Sequence, residues 1–306
     1  MEKKKDFIPR ELYDTGDEFV QSLYQNIYYI VHAHRLRDTE FITTLEQKWD
    51  DTFVQMEAFR IFNIEFAEEY QELVGALEGK NIQNKQYKNI VLREIHGRAC
   101  QMFLEIVCLL KHGLADGAFA RWRSLYELAV LSKFVYDNND ATAEAYFKQT
   151  DSDDTTYEWA RGSGQFTSSE RITFKSLQDK VGYDKESIWA QQYKFSNNTS
   201  HLGPQGTFKR LALSKTPQAI LVGESDYGIH LPADHAMLSL AHIACNWFML
   251  FELQPMVLVI YAINKWIHDF QYNLYKIASE IFPEDVDLKN VWNTLKAERL
   301  KEQAGS

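Results

Sequence analysis

The sequence has few chain breakers, with six prolines and fourteen glycines in 306 residues. That scarcity argues against a many-turned β architecture and favours long helices. Cysteine is scarcer still: Cys100, Cys108 and Cys245 sit in apolar helical stretches with no Cys-x-x-Cys spacing. Neither a disulfide framework nor a cysteine zinc site is readable from them. Basic residues are outnumbered, 33 Lys and Arg against 43 Asp and Glu, and the resulting net charge of −10 argues against a general nucleic-acid coat or an anionic membrane surface. A local basic cleft stays compatible with that balance. The chain has no Glu-x-x-His pair for a di-iron bundle, no Gly-x-x-x-x-Gly-Lys-Ser/Thr phosphate loop and no Gly-x-Ser-x-Gly elbow. Neither a metal nor a cofactor is therefore expected. The N-terminal MEKKKDFIPRE carries charges with no apolar run behind them. A signal peptide is not expected, and a reducing cytoplasm is the expected compartment.

What is present is apolar and aromatic. Apolar residues make up 45% of the chain, enough for a substantial core, and helical periodicity dominates. Thr15 to Glu18 reads as a capping box opening a helix that runs through Phe19, Leu23, Ile27 and Ile30 to about Arg37. A second tract, from about Asp38 to Leu77, is apolar at Phe41, Leu45, Trp49, Phe53, Met56 and Phe59. The two read as an antiparallel pair. Gln86 to Leu110 and 118–137 form two further helices joined by a short turn at 112–117, hence a hairpin. A short helix follows from Ala141, the polar stretch 151–170 reads as a mobile loop, and helices follow at 170–181 and after Asp184. Thr207 to Leu213 and Ala219 to Val222 carry the only β-like content. Pro232 opens a long helical tract reaching about Ile281, which Pro255 should kink. Within it, residues 237–266 are apolar but interrupted by Asn246, Glu252, Gln254 and Pro255, which favours a buried helix over a membrane span.

The expected fold is thus all-α: a multi-helix bundle with a buried central helical hairpin, a long Pro-kinked C-terminal helix and at most a small β-hairpin. Residues 1–84 are expected to form an N-terminal helical pair packed on the core, and 85–306 the core itself, together one continuous domain. So aromatic a set of hairpins, with the 237–266 tract, is expected to bury apolar surface against a second copy as a homodimer.

Two polar clusters stand out. In the stretch KHGLADGAFARWRSLYELAVLSKFVYD (Lys111 to Asp137), Arg123 and Glu127 share one stripe of a helix that otherwise reads as buried. An unpaired buried charge costs several kcal/mol, so these two need partners, and Tyr126 lies beside them. The second cluster is Tyr193, Lys194, Ser196, Asn197 and His201. Tyr193, Ser196 and Asn197 share a broad helix face, and His201 falls near a helix C-terminus, where a protonated imidazole is favoured.

The order Gly113, Arg123-Ser-Leu-Tyr-Glu127, then Tyr193, Ser196 and His201-Leu-Gly resembles an uncharacterised bacterial helical family known by a domain-of-unknown-function number (DUF5677-like). The likeness covers roughly residues 90–280 and implies an all-α fold and a bacterial or phage origin, with no established activity. The pattern is also similar to the HEPN class of metal-independent helical ribonucleases of toxin and phage-defence systems. Their signature places Arg four to six residues before a His near a helix end. Here Lys194 stands seven before His201 instead.

Two functions follow as expectations. In the first, the chain is a defence- or toxin-type effector with ribonuclease-like chemistry. His201 is then the acid or base, Lys194 and Arg123 are the cations, and Glu127 orients one of them, while Tyr193, Ser196, Asn197 and Tyr126 bind. RNA or a small-molecule ligand is the expected partner. In the second, the chain is a non-enzymatic ligand-sensing or partner-binding module whose polar cluster is structural.

Overall fold

The computed structural model describes residues 10–77, 80–153, 155–183, 187–200, 204–208, 210–213 and 220–305. They are helical and irregular, with no strand among the described residues. The helices are α1 (Arg10–Gly75), α2 (Lys80–Gln83), α3 (Gln86–Lys111), α4 (Ala115–Asp137), α5 (Asp140–Lys148), α6 (Phe174–Lys180), α7 (Ile188–Ser200), α8 (Pro204–Phe208), α9 (His230–Phe248), α10 (Gln254–Ile281) and α11 (Val286–Gly305). The protein is an all-α multi-helix bundle. Two compact units divide it, one up to Gln47 and the other from Lys48 onward, so that residues 48–84 group with the core.

In the first unit, helix α1 runs through both Thr15 and Asp38. Thr15 lies inside the helix rather than capping it, and no turn separates two helices near residue 37. The non-helical residue within α1 is Trp49 (φ −116°, ψ 17°), which belongs to the second unit.

The second unit is built on α3, α4 and α9, which pack on one another in pairs. The α3 positions Val91, Leu92, Ile95, Ala99, Met102, Phe103, Ile106, Val107 and Leu110 recur at helical spacing and are all buried. Helix α4 is buried on most of its circumference, through Phe119, Trp122, Leu125, Tyr126, Ala129, Val130, Phe134 and Val135. The hairpin between them turns at Gly113, whose φ of 68° suits glycine, and Leu114 N–H caps Leu109 O at 2.9 Å. Pro255 breaks the C-terminal tract fully: it stands in the first turn of α10, and α9 ends seven residues earlier at Phe248. Helices α9 and α10 then pack on each other. No helix among the described residues is long and apolar enough to cross a membrane.

Two expectations for connecting segments change. Residues 158–163 of the supposed mobile loop form a 3-10 turn, with Trp159 buried edge-on against Phe134 and Tyr146. Thr167 and Glu170 do bond to each other, but α6 begins later, at a capping box of Thr173 and Ser176. Of the suspected hairpin, Thr207 and Phe208 belong to α8, residues 210–213 and 220–222 are irregular, and 209 and 214–219 lie outside the described residues. Gly228, at φ 85°, has no room for a side chain, since a Cβ there would stand 2.8 Å from Leu211 O. The three cysteines are free.

The polar accounting of this core turns on Ser239 of α9. Its hydroxyl accepts from the indole N–H of Trp122 and of Trp189, each at 3.0 Å, and donates to His235 O at 2.7 Å. Both lone pairs and the proton are used. Replacing Ser239 by Ala orphans two buried indole donors, at roughly 1–3 kcal/mol each. We expect S239A to lose about 2–4 kcal/mol in urea unfolding; a loss below about 1 kcal/mol would contradict the assignment.

Burial also makes the fold acid-sensitive. His96, His230 and His242 are pushed down to about 4 by burial, and His235 to about 3. Asp234, fully buried, is pushed up to about 6 by burial, although Gln271 and Tyr275 donate to it. The unfolded chain protonates its histidines below pH 6.5 while the folded chain does not, so their contribution is complete above pH 6.5 and is lost towards pH 4. Asp234 acts the other way over pH 4–6, but one group opposes four. Unfolding free energy should fall by about 4 kcal/mol per pH unit near pH 5, a net uptake of about three protons. A stability profile flat between pH 6.5 and 5 would refute this, and His235→Phe should flatten the slope by about one proton.

Candidate functional site at the α4–α7 seam

Helix α7 packs along α4, and each carries a tryptophan followed four residues later by a tyrosine. Trp122 and Trp189 meet on Ser239. One turn further along both helices, Tyr126 and Tyr193 stack, with centroids 4.5 Å apart and planes 22° from parallel. Tyr126 also lies against Trp189 at 4.5 Å, and Phe174 of α6 closes on Tyr193 at 5.3 Å. This aromatic wall fixes where the polar groups of the seam stand.

Arg123 and Glu127 pair at 3.2 Å as i,i+4 neighbours, with side chains 29% and 31% exposed. Tyr193, 8% exposed, donates its phenol proton to Glu127 Oε1 at 2.8 Å, while the Arg123 guanidinium lies over the Tyr193 ring at 5.5 Å. Burial, reinforced by Glu127, holds the Tyr193 phenol well above its ordinary value, so at neutral pH it is a donor. Arg123 Nε is buried with no hydrogen-bond partner among the described residues. Gln178 of α6 donates to the Tyr126 hydroxyl at 2.6 Å.

Arg123, Glu127, Tyr126 and Tyr193 thus come together. Ser196 is buried one turn along α7, its hydroxyl donating to Tyr193 O at 2.8 Å. Lys194 is exposed on α7. The side chain of Asn197 and the whole of His201 lie outside the described residues. Trp122, Trp159 and Trp189, considered as base-stacking groups, are all buried.

Tyr157, Gln178, Phe174 and Ser239 were not singled out in the sequence. Tyr157 is pushed up by burial and then by the Glu127 charge, which places it in the field of the ion pair. Tyr157 also lines a cavity of about 300 Å³, together with Leu131, Tyr146, Gln149, Thr155 and Trp159 among others. Leu131 lies one helical turn beyond Glu127 on α4, so the cavity continues the same helix face. The repeated Trp-x-x-x-Tyr spacing on two helices was the readable signal for this wall.

Among known proteins, residues 89–153 match the model of a family of unknown function (DUF5677). The match takes in most of α3 and all of α4 and α5, including Arg123, Tyr126 and Glu127, and ends before Tyr193. No curated protein and no solved structure matches the chain.

The hydrogen bond between Tyr193 and Glu127 is testable alone. A double-mutant cycle of Tyr193→Phe and Glu127→Gln should give a coupling of about 1 kcal/mol, reduced from a fully buried charged bond by the exposure of Glu127. A coupling near zero would show that the two helices do not meet through these groups.

Proposed function

We propose that the chain is a ligand-binding helical module whose binding face is the Arg123–Glu127–Tyr193 cluster and the cavity beside Tyr157. One observation carries this: a partly exposed guanidinium pairs with Glu127 and lies over the Tyr193 ring, and Tyr157, which feels the charges of that pair, lines an open cavity with aromatic and amide walls. Such a site suits a small anion with a flat, partly polar body. Its acidic group competes for the open edge of Arg123, and its body lies against Tyr157 and Trp159 with Gln149 and Thr155 in reach. Nucleoside monophosphates are the first class to try. The polar groups in place favour binding over catalysis, since Glu127 is engaged by both Arg123 and Tyr193 and burial holds the Tyr193 phenol well above its ordinary value, as a donor.

A second reading, metal-independent RNA cleavage, is favoured by Lys194. It is exposed on the helix that carries Tyr193, and the chain continues from the end of α7 at Ser200 directly to His201. There His201 serves as the acid or base, with Lys194 and Arg123 as the phosphate cations and Glu127 orienting Arg123. Both readings are tested together. Calorimetric titration with nucleoside monophosphates should show binding that Arg123→Met weakens tenfold or more while the melting temperature stays within a few degrees. Absence of binding at millimolar ligand ends the first reading. Single-stranded RNA incubated with the protein in EDTA decides the second, which requires cleavage by the wild type and none by His201→Ala.

A further inference from the structure

Helix α3 carries a glycine at a place where the fold asks for none. Gly97 stands in the middle of α3 with no positive φ, and a Cβ built on it would meet nothing within 4 Å. Glycine inside a helix weakens it relative to alanine, and here neither backbone conformation nor close packing accounts for the residue. The space beside it is a cavity of about 360 Å³ within the second unit, walled by Ile64 and Ala67 of α1, Cys100 and Leu104 of α3 and Trp247 of α9. Helices α1 and α3 run antiparallel here, since Arg60 Nε donates to Cys100 O at 3.2 Å while Asn63 Oδ1 lies 3.5 Å from His96 Nε2. The trough between them extends from Arg60 to Gln71, about 16 Å along α1. It shares no residue with the Arg123 cluster or the cavity beside Tyr157.

The charges around this trough select an acid group at one end. Among the described residues no carboxylate stands within 4.0 Å of the Arg60 guanidinium. Glu57, one turn away, pairs with Lys111, and Glu105 pairs with Arg121. Glu65 is turned roughly 140° away around the helix. Glu68 does line the trough, but it stands eight residues along α1, about 12 Å from Arg60. At the far end Arg93 is engaged by Glu94 at 3.0 Å, and His96 is neutral at pH 7 because burial pushes it down to about 4. Arg60 is thus the cation left for a ligand, and its charge reaches the floor, where it opposes the rise that burial imposes on the Cys100 thiol. Beyond Arg60 the walls are aliphatic, and a trough of this length suits a chain better than a disc. We propose that this cavity is a second binding site, for a carboxylic acid with an aliphatic chain. Its acid group sits on Arg60, and its chain lies against the bare α3 backbone at Gly97, which the missing side chain lets it approach.

Titration calorimetry of the full chain with octanoate should show saturable binding with a Kd below about 1 mM. The uncharged 1-octanol, of the same chain length, should bind about tenfold more weakly. Arg60→Met should remove that preference for the acid, whereas Arg123→Met should leave octanoate binding unchanged. Gly97→Leu separates a glycine kept for a ligand from one kept for the fold. Replacing glycine by a good helix former in open space should raise the melting temperature by about 1–3 °C, while octanoate binding weakens tenfold or more. A Kd above about 1 mM for octanoate, or an alcohol that binds as well as the acid, overturns the proposal. So does a Gly97→Leu variant that melts below the wild type or binds octanoate as tightly.

Discussion

The hydroxyl of Ser239 is the constraint on which the site depends. It takes two indole protons, from Trp122 of α4 and Trp189 of α7, and gives its own to the carbonyl of His235 in α9. Three helices are registered by one oxygen whose bonding capacity is filled. Trp122 and Trp189 each stand one turn before a tyrosine, so fixing the two indoles fixes the Tyr126–Tyr193 stack as well. That stack sets the distance at which Tyr193 reaches Glu127. A polar atom in an otherwise apolar core is costly unless fully bonded, and here the bonding confers register.

Helix α4 shows how burial and function share one element. Most of its circumference is core, and its charges lie where that core gives way at the α7 seam. At about one-third exposure, the Arg123–Glu127 pair contributes little to stability, on the order of 1 kcal/mol or less. What the pair provides is a guanidinium held in place by an aromatic ring and a carboxylate. Preorganisation of that kind lowers the ordering cost of binding an anion.

The parts of this arrangement that lie close in the chain were legible in the sequence. The α3–α4 hairpin followed from apolar periodicity and Gly113, and the Arg123–Glu127 pairing from their i,i+4 spacing. Long-range polar contacts left no such mark. Ser239 lies 117 residues from Trp122 and 50 from Trp189, and nothing local to a serine in an apolar helix announces two indole partners. The stretch 151–170 looked mobile because its composition is polar, but Trp159 anchors it against Phe134 and Tyr146. In α1 the sequence suggested a boundary at about Asp38. The departure from helical backbone comes instead at Trp49, which neither glycine nor proline marks. The resemblance noted at Arg123 and Glu127 coincides with the matched segment 89–153, whereas Tyr193 and His201 lie beyond it.

Two buried indoles are clamped on Ser239, and indole hydrogen exchange measures this directly. With nitrogen-15-labelled tryptophan, the Nε1 protons of Trp122 and Trp189 should exchange only through global unfolding, with protection matching the free energy from urea denaturation. Exchange of either proton within minutes at neutral pH would show that the clamp does not exist, and with it would go the register of α4, α7 and α9.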